Sequence, residues 1–400
     1  MSSSTHFSTR VVHAGEERSK PYHALTTPIV HSAPFTFSNM ADVTGFMEAF
    51  HGGEDVDRAE YGRYGNPTVA AAERKLADLD GGEAALLFSS GMAAVTLSLL
   101  SLLSAGAHMV MTADCYRRTR GFVNQVLPRY GVQFTQVPPG DYEALEAAMR
   151  PETRLILSES PTNPYLRVVD LERLVEIARR HDVVTIIDST FATPLNQRPL
   201  EWGVDLVIHS ATKYLGGHND LLAGAAVGSK QVLAGVRTTQ NTIGALCDPN
   251  TAYLLLRGLK TLALRVARHN DSGLQVARFL EGHPKVRRIF YPGLPSHPDY
   301  AVASQQMSGY GGVVSFELDA DLETTSRFVD ALRIPYIGPS LGGVESLVIQ
   351  VALSTYYELS SQERAALGIS DSLVRLSLGI EDVGDLIADL DQALACILTT

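Results

Sequence analysis

Short apolar runs alternate with amphipathic stretches through the middle of the chain. In the stretch 171–182, Leu171, Leu174, Val175 and Ala178 recur on one helical face, and charged residues occupy the opposite face. The apolar runs are continuous, which is typical of strands buried on both faces. Alternation of such strands with helices predicts an α/β fold with a mostly parallel sheet. The six predicted strands are AALLF, HMVMTA, VQFTQVP, RLILSES, VVTIIDST and VDLVIHS.

One apolar stretch is long enough to raise the question of a membrane span. From Ala84 to Met111 the only titratable side chain is that of His108. Residues 89–91, with the sequence Ser-Ser-Gly, interrupt this stretch, and Gly106 interrupts it again. A buried strand, a tight turn and a buried helix therefore fit the segment better than a membrane helix.

The pattern changes towards both ends of the chain. Residues 1–60 lack clear periodicity and are predicted to form an extended N-terminal arm with loops. A helix from Pro67 to a glycine stop at Gly81 is predicted to follow. Beyond residue 250, a long helical region precedes strands of a different style. The predicted organisation is an arm (1–60), a ligand-binding α/β domain (61–255) and a smaller α+β C-terminal domain (256–400).

Composition and charge narrow the classes of partner. Hydrophobic residues make up 45% of the 400 residues, and the formal net charge is −11. A negative chain without clustered Lys and Arg is unlike proteins that bind nucleic acid or anionic membranes, so neither partner is expected. The three cysteines are far apart and the histidines lack metal-ligand spacing, so we expect no disulfide framework and no metal site. The N-terminus lacks the apolar core of a secretory signal, and a cytoplasmic location is expected.

Candidate binding residues stand at the ends of five of the predicted strands or a few residues beyond them. Ligands of parallel α/β sheets bind beyond the carboxyl ends of the strands, so these residues are candidates for one binding site. Taken singly, each position also suits a helix cap or a turn. The candidates are Gly91 and Met92, Tyr116, Asn163, Asp188, and the group Ser210, Thr212 and Lys213.

Together these residues describe one ligand. Gly91 at a helix start offers backbone N–H groups to a phosphate, and Ser210 and Thr212 can add hydroxyl donors. A carboxylate at a buried strand end, Asp188, needs a cation or a strong donor, which a protonated pyridine ring nitrogen provides. Tyr116 can stack on a flat ring, and Lys213 can form a Schiff base. The implied ligand is pyridoxal 5'-phosphate.

The motifs SATKYLGGHND, SPTNP, SSGMAA, YGRYGNPT and VRLSLGIED, which occur in the region from about Thr9 to Ala395, resemble the Cys/Met-metabolism family of pyridoxal-phosphate enzymes. Within that family the chain is most similar to the plant-type cystathionine γ-synthase branch, through DCYRRTR, FATPLNQ and IPYIGPSLGG. The resemblance implies a fold-type I, aminotransferase-like large domain and a smaller α+β C-terminal domain.

The resemblance also implies a role for each matched position. Lys213 holds the cofactor covalently and moves protons, with help from Tyr116, which stacks on the ring. Asp188 meets the ring nitrogen, Asn163 the ring hydroxyl, and Gly91, Met92, Ser210 and Thr212 the phosphate. Arg375 and Ser340 bind the α-carboxylate of the substrate. Tyr61 and Arg63 reach the phosphate of a neighbouring subunit, which implies shared active sites in a homo-oligomer, with dimer and dimer of dimers both open.

The implied reaction is γ-replacement: an O-activated homoserine reacts with cysteine through a vinylglycine-type intermediate. The sequence leaves open phosphoryl, succinyl and acetyl leaving groups. A lyase acting on cystathionine or another γ-substituted amino acid is the alternative, and a non-catalytic relative is a third hypothesis. Arg118 stands where methionine γ-lyases carry cysteine, and Pro339 matches the plant-type branch. Val351 departs from the usual proline of the family, which leaves the native substrate open.

Overall fold

The computed structural model describes residues 5–52, 56, 58–395 and 397. Two separate β-sheets organise this part of the chain, and helices pack against both of them. The first sheet contains β1 (Ala84–Phe88), β2 (His108–Thr112), β3 (Gln133–Val137), β4 (Thr153–Glu159), β5 (Val184–Asp188), β6 (Leu206–His209) and β7 (Gly224–Gly228). The second contains β8 (Val286–Phe290), β9 (Val313–Leu318), β10 (Tyr336–Ile337), β11 (Leu347–Gln350) and β12 (Leu373–Ser377).

Sixteen α-helices connect and cover the strands of the described residues. Those before the second sheet are α1 (Phe7–His13), α2 (Met40–His51), α3 (Pro67–Asp80), α4 (Gly91–Leu102), α5 (Arg117–Gln125), α6 (Tyr142–Ala147), α7 (Leu171–His181), α8 (Thr193–Asn196), α9 (Lys230–Ile243), α10 (Pro249–Leu259) and α11 (Leu262–Glu281). Those within and after it are α12 (Tyr300–Gln306), α13 (Leu322–Ala331), α14 (Val351–Ser354), α15 (Ser361–Ala366) and α16 (Val383–Ala395).

The first sheet has the strand order β1-β7-β6-β5-β4-β2-β3. Strands β2 to β6 are mutually parallel, and β7 runs antiparallel between β6 and β1. Helices α4, α5 and α9 cover one face, and α6 and α7, together with α3 and α10, cover the other. The predicted α/β class with a mostly parallel, doubly covered sheet is therefore confirmed, and all six predicted strands are present.

Strand β7 is the strand of this sheet that the pattern does not predict. Its sequence, GAAVG, is poor in the β-branched and aromatic residues by which strands are recognised. The structure explains the small residues, because a Cβ atom on Gly224 would lie only 2.1 Å from the Ser90 carbonyl oxygen. The residues of β7 must be small where the start of α4 packs against the strand. The β-branched and aromatic residues by which strands are recognised would not fit there.

The long apolar stretch divides as the sequence predicts. It forms β1, then α4 after the Ser89–Gly91 break, then β2, and its strand residues are almost all buried. Among the described residues, no helix is both long enough and apolar enough to cross a bilayer.

The N-terminal segment is more regular than predicted, since α1 and α2 lie within the supposed extended arm. Neither helix shows a helical repeat of apolar residues in the sequence, because each buries only one apolar side chain, Val11 in α1 and Phe46 in α2. The fully buried Lys75 ammonium of α3 anchors the start of the chain: it donates to the Val11 carbonyl oxygen at 3.0 Å and pairs with Glu16 at 2.9 Å. The two boundaries between the three predicted segments stay predictions.

The second sheet has the order β10-β11-β12-β9-β8 and is antiparallel except for β10 beside β11. Helices α11, α13 and α16 cover one of its faces. The long helical region predicted before it is two helices, α10 and α11, and α9 and the two-residue β10 are additional elements. The other face carries Arg375 opposite Ile349 and turns towards the first sheet, where Arg375 meets Asn163.

Candidate active site

Lys213 lies in the turn that follows β6, at the carboxyl edge of the parallel strands. The turn is closed by the Lys213 N–H, which donates to the Ser210 carbonyl oxygen at 3.1 Å. The Lys213 Nζ atom donates to the Ser340 hydroxyl at 2.7 Å. Burial, and then the positive charge of Arg375, lower the pKa of Lys213 to about 8. The amine can therefore lose its proton near neutral pH, as a nucleophile or base requires.

Ser340 is held in an unusual backbone conformation at the point where it meets Lys213. Its φ angle is 113°, in a region that L-residues rarely adopt. The next residues explain how the turn is fixed: a Cβ atom on Gly342 would lie 2.6 Å from the Tyr214 backbone nitrogen. The turn after Ser340 therefore packs directly on the residue that follows Lys213. Strain of this kind persists where the surrounding structure enforces it, commonly at functional sites.

Asp188 ends β5 and is half-buried on the same edge. One carboxylate oxygen accepts from the Thr190 N–H at 3.1 Å and from the Thr190 hydroxyl at 2.5 Å. Burial raises the pKa of Asp188 above its ordinary value. A half-buried carboxylate in this position is stabilised as an anion when a cationic N–H group faces it, and a protonated pyridine nitrogen is such a group.

Glu159 is a second acid at this edge, and the sequence pattern did not single it out. It ends β4 directly beside Asp188 in the sheet register, and it accepts from the Tyr116 N–H at 2.6 Å. Burial, and then the charge of Asp188, raise the pKa of Glu159 well above its ordinary range. A neutral Glu159 would hold the backbone of Tyr116 without competing with Asp188 for a cation. Its place at a strand end was the available signal, but the SPTNP motif that follows points to Asn163 instead.

The start of α4 has free backbone donors where the sequence predicts a phosphate site. Ser90 caps the helix by accepting from the Ala93 N–H at 3.1 Å, so the N–H groups of Gly91 and Met92 remain available in its first turn. A Cβ atom on Gly91 would lie 2.8 Å from the Ser210 Cβ atom, which brings Ser210 against this helix start. Only glycine allows that approach.

The Thr212 hydroxyl has two hydrogen-bond partners within the chain, and its predicted phosphate contact stays a prediction. Its hydroxyl accepts from the Ala223 N–H at 3.0 Å and donates to the Ala223 carbonyl oxygen at 3.2 Å. These bonds tie the Lys213 turn to the segment that leads into β7. In the structure the hydroxyl thus has a structural partner, and its predicted phosphate contact would require it to be shared or turned.

Arg375, in the middle of β12, is buried beside the lysine. Its Nη1 donates to the Asn163 side-chain oxygen and its Nη2 to the Ser340 carbonyl oxygen, both at 3.0 Å. Its Nε has no partner within the described chain, and no carboxylate of that part of the chain forms an ion pair with it. Burial lowers the pKa of Arg375 to about 10. A buried guanidinium without a counter-anion is a fitting receptor for a substrate carboxylate.

Tyr116 stands at the entrance of the site as the N-cap residue of α5, with 42% of its surface exposed. A ring that is held by its backbone but exposed on one side is suited to stacking on a ligand. Tyr61 and Arg63 lie elsewhere: the Arg63 guanidinium donates to the Asn241 carbonyl oxygen at 2.6 Å and lies over the Tyr64 ring. Their described contacts include none of the residues around Lys213, and their predicted role in a neighbouring subunit stays a prediction.

These features fit pyridoxal 5'-phosphate. A lysine with a lowered pKa, a half-buried carboxylate at the edge of the same sheet, and a helix start that excludes a Cβ atom together match its aldehyde, its pyridine nitrogen and its phosphate. Clusters of His, Cys, Asp or Glu able to hold a metal ion are absent from the described residues.

Fold and site thus define a pyridoxal-phosphate-dependent enzyme. The family model for the Cys/Met metabolism PLP-dependent enzymes matches residues 8–395, and the chain belongs to that family. Cystathionine γ-synthase 1, chloroplastic, of Nicotiana tabacum is 49% identical over 389 residues, which cover 96% of this chain and 71% of the relative. Cystathionine β-lyase of Coxiella burnetii is 42% identical, over 98% of each chain.

A solved structure agrees with the fold. Cystathionine γ-lyase from Lactobacillus plantarum, complexed with L-serine, superposes with a TM-score of 0.89 at 38% identity, covering 98% of this chain and 99% of the other. The predicted family and cofactor, and the predicted fold class with its smaller second sheet, are therefore confirmed. The relatives include synthases and lyases alike, so the comparisons define a pyridoxal-phosphate enzyme acting on amino acids without fixing its reaction.

Proposed function

We propose that this enzyme catalyses γ-replacement on an O-activated homoserine with cysteine, in the manner of cystathionine γ-synthases. The observation that carries the proposal is the arrangement of Lys213, Ser340 and Arg375. The Lys213 Nζ lies 2.7 Å from the Ser340 hydroxyl, and the Arg375 guanidinium donates to the Ser340 carbonyl oxygen. An α-amino acid whose carboxylate pairs with Arg375 would therefore have its Cα beside the Lys213 amine.

When bound, pyridoxal phosphate supplies an electron sink for the bonds at Cα of the substrate. Arg375 binds the α-carboxylate, and Asp188 keeps a positive charge at the ring nitrogen. The Lys213 amine takes the Cα proton and then transfers protons along the substrate, which a lysine with a pKa of about 8 can do at neutral pH. Ser340 orients that amine through its hydroxyl.

These roles account for the bonds broken and formed in γ-replacement and for the protons that move. Lys213 removes a proton from Cβ, the Cγ–O bond breaks, and the leaving group departs as a phosphate or carboxylate. The cysteine thiol gives up its proton, which leaves with the released acid, and its sulfur forms the Cγ–S bond. The protons taken from the substrate return to Cβ and Cα. The net products are a thioether, such as cystathionine, and the released acid.

The identity to the chloroplastic synthase of tobacco supports the synthase assignment. The 42% identity to the cystathionine β-lyase of Coxiella burnetii keeps elimination as the second candidate. Elimination uses the same lysine and arginine but ends with water attack and release of a ketoacid and ammonia, so only product analysis separates the two reactions.

The test is to incubate the holoenzyme with O-phospho-, O-succinyl- or O-acetylhomoserine, each with and without cysteine, and separately with cystathionine alone. Products are identified by mass spectrometry. Cystathionine that forms only with cysteine supports the proposal and identifies the leaving group. Ketoacid and ammonia from cystathionine alone would support the lyase instead. A protein that never binds the cofactor would contradict both.

A further inference from the structure

The substrate site is divided between the two sheets. Lys213, Asp188 and Tyr116 follow strands of the first sheet, whereas Arg375 and Ser340 belong to the second sheet and one of its loops. The distance from the base to the carboxylate receptor therefore depends on how the two sheets are held relative to each other. A contact that joins them beside Tyr116 would act on that distance.

Two arginines from the first turn of α5 make such a contact. Arg117 Nη1 donates to the Thr355 carbonyl oxygen at 2.6 Å, and its Nη2 pairs with Glu358 at 2.6 Å. Arg120 Nη2 donates to the Tyr356 hydroxyl at 3.2 Å. We call this set, Arg117 and Arg120 with Thr355, Tyr356 and Glu358, the clasp. Its two halves come from distant parts of the chain.

The α5 end of the clasp is continuous with Tyr116. Tyr116 is the N-cap residue of α5, and its carbonyl oxygen accepts from the Arg120 N–H at 3.0 Å. Tyr116, Arg117, Thr355 and Tyr356 line one narrow cleft together with Asn163, whose side chain contacts Arg375. The clasp thus closes directly beside the stacking tyrosine.

The other end of the clasp is continuous with Arg375. The Tyr356 side chain is buried in an apolar cluster that includes Ile349 and Leu373. Ile349 is the cross-strand neighbour of Arg375, and Leu373 precedes it by two residues on the same strand. Directly paired residues and residues two apart share a face of a sheet, so Tyr356 packs on the two residues that flank Arg375.

We propose that the clasp positions Arg375 relative to Tyr116 and Lys213, so that Arg117, Arg120 and Tyr356 are positioning residues for binding of the α-carboxylate. The inference rests on the role of Arg375 within the proposed function. The two contacts of Arg117 contribute unequally to the stability of the clasp. The Glu358 side chain is 76% exposed, and exposed ion pairs contribute little, so the bond to the Thr355 carbonyl carries more of the effect.

Tyr356→Phe is the sharpest variant because it removes one hydroxyl and keeps the ring in its cluster. Tyr357→Phe is the matched control, since Tyr357 is 72% exposed and outside the clasp. The probes are L-alanine and ethylamine, both primary amines, of which only alanine has a carboxylate. Their affinities for the holoenzyme are measured by the change in cofactor absorbance. Neither probe has a γ-substituent, so the test is independent of which γ-reaction the enzyme performs.

We expect Tyr356→Phe to weaken L-alanine binding about 3-fold and Arg117→Ala about 10-fold, with ethylamine changed less than about 2-fold in both variants. Glu358→Gln and Tyr357→Phe should behave as wild type. In the protein without cofactor, amide hydrogen exchange of residues 355–359 should be faster in both clasp variants, which reports the clasp itself rather than catalysis.

Arg375→Leu separates failure of the inference from failure of its premise. If Arg375→Leu weakens L-alanine binding but Tyr356→Phe and Arg117→Ala do not, the clasp has no positioning role. If the clasp variants weaken ethylamine as much as L-alanine, their effect is not on the carboxylate and the inference is overturned. If Arg375→Leu leaves L-alanine binding unchanged, Arg375 holds no carboxylate, and both the inference and that part of the proposed function are wrong.

Discussion

At the scale of single residues, the site is a set of buried and half-buried ionisable groups, and neither Lys213 nor Arg375 has a carboxylate partner within the described chain. Lys213 and Arg375 lie close together and Asp188 lies beside Glu159, and burial moves the pKa of each away from its ordinary value. Burial of unpaired ionisable groups costs stability. The arrangement is understandable as a receptor for two molecules. One is a cofactor with an aldehyde and a cationic ring, and the other is a substrate with an anionic carboxylate.

The pKa of Lys213 gives a prediction about pH. Its folded value of about 8 lies below the ordinary lysine value, so the reactive neutral amine accumulates as pH rises through about 8. We expect the rate at which the cofactor-free protein captures pyridoxal phosphate to rise over that range and then level off. Stopped-flow absorbance across a pH series measures this rate.

The Arg375→Leu variant tests whether the charge of Arg375 lowers the pKa of Lys213. Removing the positive charge of Arg375 removes one of the two influences that lower the Lys213 pKa, so the midpoint of the pH dependence should move to higher pH. A midpoint that stays in place or moves to lower pH would contradict the electrostatic coupling between these residues.

At the scale of elements, the sequence predicts the strands of the first sheet well because continuous apolar runs are a strong local signal. These runs identified β1 to β6, and the polar residues at their ends singled out Lys213 and Asp188, which the structure places at one edge of that sheet. Their roles in binding the cofactor stay predictions. The missed features depend on tertiary contacts: β7 is small because α4 packs on it, and Glu159 acts through a backbone N–H. The clasp was unpredictable for the same reason, since its partners are far apart in sequence.

The close approach between β7 and α4 can be tested with one methyl group. Gly224→Ala would place its Cβ atom 2.1 Å from the Ser90 carbonyl oxygen, so the helix start must shift. We expect a loss of about 1–3 kcal/mol in the free energy of unfolding, with weaker binding of pyridoxal phosphate because the helix start is the predicted phosphate site. Urea unfolding and cofactor titration measure the two effects.

Gly121→Ala is the control for that substitution. Gly121 lies in α5 with a negative φ angle, and a Cβ atom added to it would have no neighbouring atom within 4 Å. Alanine there should leave stability unchanged or raise it slightly, because alanine favours helices over glycine. Equal losses in the two variants would contradict the packing explanation.

At the scale of the whole molecule, we propose a homo-oligomer with active sites shared between subunits. Support comes from Tyr61 and Arg63, whose described contacts within one chain include each other, Tyr64 and Asn241, away from Lys213. The proposed role of this pair is to bind the phosphate in a neighbouring subunit.

Mixing two inactive variants tests that proposal. Lys213→Ala and Arg63→Ala should each lack activity, but dimers with one chain of each would contain one site with both native residues. Random reassociation after dilute denaturant should therefore recover about a quarter of the wild-type activity. Recovery of no more than the sum of the separate variants would show that Arg63 does not serve a neighbouring site.

Every role proposed for this site depends on Lys213 binding the cofactor. Borohydride reduction of the holoenzyme converts the Schiff base to a stable secondary amine, which peptide mass mapping can locate. We predict one pyridoxyl group per chain, on the peptide containing Lys213, and none in Lys213→Ala. A label on another lysine such as Lys75, or an unchanged label in Lys213→Ala, would contradict the assignment.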